Sequence, residues 1–236
     1  MRRPPSVFFT KVVDNINSSF CKRNLIYITN DYLYLDIPKS ASSFIKSLII
    51  SSHKLSLDCG PQYPHSAVFE RPRIYKDISN VKVISFIKDP IDRFCSVVRE
   101  KFKLGSLDNN NKWSPCRFPL KSNTYKFNDV EKMIDKIVKL PYSLIDKHLL
   151  PQSYFIDIYI SNRNLVIYET TEIKNIMGKI LKEKFFWPSK SISLETDKSL
   201  FNKDNLSKES LQKLKKFYKN DFHYMTHLKN IKKLTE

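Results

Sequence analysis

Glycine is scarce in this chain: among 236 residues there are three, Gly60, Gly105 and Gly178. None precedes residue 60, so motifs that cradle a nucleotide with glycines, GxGxxG or GxxxxGK[ST], are excluded. Cysteine is also thin. Cys21, Cys59, Cys95 and Cys116 lie far apart with no CxxC pair and few histidines nearby, which disfavours a zinc site and suits buried thiols. A Cys59–Cys116 disulfide would run against a reducing compartment. Long apolar runs are missing: nothing approaches the ~20 residues of a membrane-spanning helix. The opening MRRPPSVFF lacks the apolar stretch of a secretory signal. The expectation is a cytoplasmic protein with no membrane span. Acidic residues are the minority charge, 24 against 41 basic, for a net +17.

That balance favours nucleic acid, acidic lipid surfaces or small polyanionic ligands. The lysines are scattered and mostly interleaved with apolar residues, as on a solvated outer face more than on a docking stripe. The length fits a single domain over 1–236, with a polar, irregular segment at 1–23 and a long loop at 104–127, where three asparagines run together.

The apolar pattern predicts strands alternating with helices. NLIYI at 24–28 and YLYLDI at 32–37 read as short strands, and VKVISFI at 81–87 is dense in β-branched residues. NLVIY at 164–168 gives another strand. Phe44, Ile45, Leu48 and Ile49 share one face of a helix after the second strand. Ile91, Phe94, Val98 and Phe102 do the same in a helix that Asp89 caps and Pro90 opens. Further helices are expected near 129–140, after Thr170 and after Ser207. The fold class is therefore α/β, a mostly parallel sheet covered by helices on both faces. Ligands of such sheets bind beyond the carboxyl ends of the strands. The strand-to-helix junctions at 39–43 and 88–96 then lie on one rim.

In the first junction, PKSASS, unpaired N–H groups and the dipole of a helix start favour an anion. Ser40, Ser42 and Ser43 add hydroxyl donors, and Lys39 adds a mobile positive charge. Ala41 and the serines are small enough for close approach, although without glycine's access to positive φ. In the second junction, Arg93 and Ser96 are i and i+3 on one helical face, beyond Lys88, and are placed to meet one anion together. Chemistry alone leaves open the plainer alternative of a capped helix and solvated cations.

IPKSASSF resembles the 5′-phosphosulfate loop of sulfotransferases, IPKTGGTS, and FIKDPIDRFCSVVREKF resembles their 3′-phosphate motif, VRDPxxRxxSxYRxKF. HLLPQ is similar to HWxPQ of the carbohydrate branch, NLVIYETTEI to a strand ending in YETLEE, and FYKNDFHYM to a terminal YxxDFxLF. The matches keep the family's order from about residue 31 to 226. The resemblance implies a P-loop-like sulfotransferase architecture. It also implies transfer of a sulfuryl group from 3′-phosphoadenosine 5′-phosphosulfate (PAPS) to a hydroxyl, the best guess for the acceptor being a saccharide.

By that resemblance Lys39, Ser40, Ala41, Ser42 and Ser43 hold the 5′-phosphosulfate, and Lys39 also neutralises the leaving oxygen. Lys88 and Ser96 bind the 3′-phosphate and Arg93 assists. No metal is called for. A base for the acceptor proton is expected to be a histidine, with His65 and His148 the candidates; His53, His223 and His227 read as structural. Two departures stand out: Lys88 replaces the family's arginine and loses its fork, and Ser40–Ala41–Ser42 replaces the glycines. The rival readings are a basic nucleic-acid-binding module, which would use the chain's twelve tyrosines and sixteen phenylalanines for stacking, and a diverged nucleotide-binding protein without catalysis.

Overall fold

Alternation along the strands divides the core into two. Leu33 and Leu35 point to one side of the sheet and Tyr34 to the other; Val83 and Ile87 oppose Ile84 and Phe86. A period of two with both faces apolar requires cover on both sides. The computed structural model describes residues 24–53, 81–104, 111–117, 124–159, 164–182 and 197–235, and shows that cover. Strands β1 (Leu25–Thr29), β2 (Tyr32–Leu35), β3 (Lys82–Ile87) and β4 (Leu165–Glu169) form one sheet in the order β1-β2-β3-β4. β1 pairs antiparallel with β2, while β2, β3 and β4 run parallel. The expected α/β class, with a mostly parallel sheet flanked by helices, is thus what the chain forms.

Helix α1 (Ser42–His53) covers one face with Ile45, Leu48 and Ile49, beside α5 (Ile173–Leu181) with Ile173, Met177 and Leu181. On the other face lie α2 (Pro90–Lys101), α3 (Val130–Ile137), α4 (Gln152–Asp157), α6 (Lys208–Phe217) and α7 (Lys219–Thr235). Ile91, Phe94, Val98 and Phe102 are all buried, as their spacing predicts. Asp89 caps α2 by accepting from the N–H groups of Ile91 and Asp92 at 2.9 and 3.0 Å, and Ser207 caps α6.

Three local expectations change. Glu169, and not Thr170, caps the turn after β4, in a reciprocal box with Glu172. The last helix is two, because the chain leaves helical geometry at Tyr218. The loop at 104–127 is partly anchored, with Trp113 bridging to Tyr125 and packing edge-on against Phe102. Among the described residues no helix is long and apolar enough to cross a membrane.

Candidate functional site

β2 and β3 are adjacent and parallel, so the junctions that follow them emerge at one edge of the sheet. The first is an unusual piece of backbone. Lys39 and Ala41 have φ of 67° and 60°, with Ser40 between them outside the positive-φ region. Backbone with a positive φ next to a negative one is the kind from which anion-binding nests are built. The sequence predicts no access to positive φ without glycine; this loop adopts it twice. Each such residue is strained by about 1–2 kcal/mol, so the surroundings must hold the loop. Lys46 and Asp36, both largely buried, pair at 2.5 Å across it. The Ser40 N–H donates to Ile37 O at 3.2 Å.

Ser40 is fully buried, and its hydroxyl donates to Gln152 Oε1 at 2.7 Å. The same oxygen accepts the main-chain N–H of Lys88 at 2.9 Å, and Gln152 Nε2 donates to Lys88 O at 2.8 Å. One amide side chain therefore fastens both junctions, using its acceptor twice and its donor once. Gln152 is held in turn by Asp221, whose carboxylate accepts from the N–H groups of Gln152 and Ser153 at 2.8 Å each.

Arg93 joins the same network from α2. It is fully buried; Nε donates to Pro38 O at 2.9 Å and Nη1 to Leu150 O at 2.8 Å, while Nη2 has no hydrogen-bond partner among the described residues. Two of its nitrogens are thus spent on main-chain carbonyls two residues before Ser40 and two before Gln152. Ser96, three residues on in the same helix, is less buried than Arg93. Tyr218 donates to Leu149 O at 2.9 Å.

Charge gathers where the loop opens. The Lys39 amino group is in contact with the Glu100 carboxylate, and Lys101 lies 3.8 Å from that carboxylate's other oxygen. Burial, then repulsion from Lys101, Lys88, Arg99 and Arg93, pushes Lys39 down to about 8. The Glu100 contact opposes that push and favours the ammonium. Ser96 precedes Glu100 by one helical turn on the same face of α2, so that face is the one turned toward Lys39.

His148 lies at the edge of this cluster, within the field of Lys101. Its Nδ1 is 2.7 Å from Asp146 Oδ1, which also accepts the His148 N–H at 2.9 Å. Burial lowers the imidazole's pKa and the Asp146 bond partly restores it. His65 lies outside the described residues. Cys95, next to Ser96, is buried and its thiol is pushed up to about 12. Among the described residues no group of metal-ligating side chains converges.

Gln152, Asp221, Asp146 and Glu100 were not singled out by the sequence. The first two stand in HLLPQ and FYKNDFHYM; the visible signal was that Gln152 and Asp221 are the polar residues those segments share with the patterns HWxPQ and YxxDFxLF. Compared with protein-family models, curated proteins and solved structures, the chain has no match in any of the three.

Proposed function

We propose that this chain is a sulfotransferase that moves a sulfuryl group from PAPS to a hydroxyl, with a saccharide as the acceptor class. The observation that carries the reading is the pair of hydrogen bonds that Gln152 Oε1 accepts from the Ser40 hydroxyl and from the Lys88 N–H. It fixes two anion-receptive junctions side by side, as a nucleotide bearing anions at both ends of its ribose requires. The positive-φ pair at Lys39 and Ala41 supports it, because strained backbone persists where function selects it. The cluster of Lys39, Lys88, Arg93, Arg99 and Lys101 supplies the field for a polyanion.

In this scheme Lys39, the N–H groups of residues 41–43 and the hydroxyls of Ser42 and Ser43 receive the 5′-phosphosulfate, while Ser40, bonded to Ile37 O and Gln152 Oε1, holds the loop in place. Lys88 and Ser96 receive the 3′-phosphate. Arg93 acts by holding the main chain at Pro38 and Leu150. The acceptor oxygen attacks sulfur in line, the bond from sulfur to the 5′-phosphate oxygen breaks, and its electron pair stays on that oxygen beside Lys39. Transfer of this kind depends chiefly on positioning and charge stabilisation. A sulfotransferase architecture fits the observed sheet, and the basic surface suits an acceptor that is already acidic.

The test is calorimetric titration with 3′-phosphoadenosine 5′-phosphate (PAP), followed by incubation with radiolabelled PAPS and a saccharide panel. Micromolar binding is expected, with a loss of about 10- to 100-fold in Lys39→Ala, the size of one charge-assisted contact. Absence of PAP binding, together with oligonucleotide binding that collapses steeply with salt, would sink the reading in favour of a nucleic-acid module. Binding of PAP without transfer to any saccharide would leave a nucleotide-binding protein without catalysis.

A further inference from the structure

The proposed transfer needs a group to take the acceptor proton, and the nearest carboxylates of the junctions are engaged, Asp89 by the N–H groups that start α2 and Glu100 by Lys39. Residues 146–152 form a strap that crosses both junctions and is fixed along its length. Asp146 N–H donates to Pro115 O at 2.8 Å, and Ile145 bridges to Cys116. Tyr218 holds Leu149 O, Arg93 holds Leu150 O, and Gln152 holds Ser40 and Lys88. His148 rides on this strap four residues before Gln152, half-buried and within the field of Lys101.

We propose that Asp146 is the positioning residue of a proton-accepting pair, holding His148 as the tautomer whose Nε2 takes the proton of the acceptor hydroxyl. The inference rests on the sulfotransferase reading. Asp146 Oδ1 accepts from both the N–H and Nδ1 of His148. With Nδ1 as donor, the neutral ring carries its lone pair on Nε2, the form required of a base. The charged groups that act on the ring are Asp146, Lys101 and Lys147; burial and the two lysines favour the neutral imidazole, and Asp146 alone favours its charged form. A neutral ring at neutral pH that gains a proton as the acceptor oxygen bonds to sulfur, against a carboxylate that then stabilises the imidazolium, is the arrangement general-base catalysis requires. The proton passes afterwards from Nε2 to solvent, which restores the base.

The experiment compares wild type, Asp146→Ala and Asp146→Asn in the full chain, measuring kcat and KM for PAPS across pH, PAP affinity, and the imidazole tautomer by nitrogen NMR. Wild type is expected to show the Nδ1–H form and an acidic limb in kcat below the ordinary histidine value of 6.5. Asp146→Ala is expected to lower kcat about 100-fold, leave KM for PAPS and PAP affinity within about twofold, and mix the tautomers. Asp146→Asn keeps an acceptor for the turn and so remains testable if the alanine variant fails to fold. Without the charge, its acidic limb moves to lower pH and kcat falls about tenfold. Unchanged kcat in both variants, or a parallel loss of kcat and PAP affinity, overturns the pair while leaving the sulfotransferase reading intact. Wild type that binds PAP but transfers nothing overturns that reading and the pair with it.

Discussion

Gln152 and Asp221, sixty-nine residues apart, are each 1 % exposed and are joined at 2.8 Å from main-chain N–H to carboxylate. The hydrogen bonds of Asp221 go to the main chain of Gln152 and Ser153, yet it sets where the Gln152 amide can reach, and through it where Ser40 and Lys88 stand.

Removing that carboxylate leaves two buried N–H groups without partners and takes away the nearby negative charge that favours the Arg93 guanidinium. Asp221→Ala is expected to lower unfolding free energy by about 3 kcal/mol, measured by urea denaturation. A loss under about 1 kcal/mol would mean that α4 is held by packing alone.

Gln152→Ala and Gln152→Glu separate anchoring from charge. The alanine variant frees Ser40 and the Lys88 N–H, and is expected to weaken PAP binding about tenfold. The glutamate variant can still accept from both but cannot donate to Lys88 O, and it sets a negative charge beside the proposed phosphate positions. Its PAP affinity should be the lower of the two, and calorimetry showing the reverse order would argue against an anion at this rim.

Ala41 sits at φ 60°, so its side chain opposes the loop it belongs to. Ala41→Gly relieves that strain at the cost of a more flexible unfolded chain, and the net expectation is a gain of up to about 1 kcal/mol. Ala41→Val is expected to lose about 2 kcal/mol or more, because a β-branched residue tolerates positive φ worst. Thermal melts of the two variants moving in the same direction would contradict the nest geometry.

Lys39 gives opposite pH trends for stability and binding. Burial holds its folded value near 8 against an ordinary 10.5, so between those values the unfolded chain carries more protons and stability rises with pH. PAP binding needs the ammonium and should weaken as pH passes about 8. Glu100→Gln removes the carboxylate that competes for Lys39, so at pH 6 PAP should bind more tightly than to wild type. The weakening should also begin at lower pH. Titrations at pH 6 and 9 check both, and a pH-independent affinity in wild type would remove Lys39 from the binding site.

The sequence by itself determined the alternation of strands and helices, because burial on both faces leaves short, nearly continuous apolar runs in YLYL and KVISFI and a period near 3.6 in the helices that cover them. It also determined the starts of α2 and α6, since a cap is chosen by residues a few positions apart and Asp89 and Ser207 carry that choice locally. Only the tertiary structure decided how the two junctions are joined. Gln152 meets Ser40 from 112 residues away and Lys88 from 64, and nothing in local propensity records a partner at such separations. The same holds for the left-handed backbone at Lys39 and Ala41: their side chains disfavour it, and the long-range bonds of Gln152 and Arg93 impose it, because the fold as a whole outweighs a local strain of a few kcal/mol.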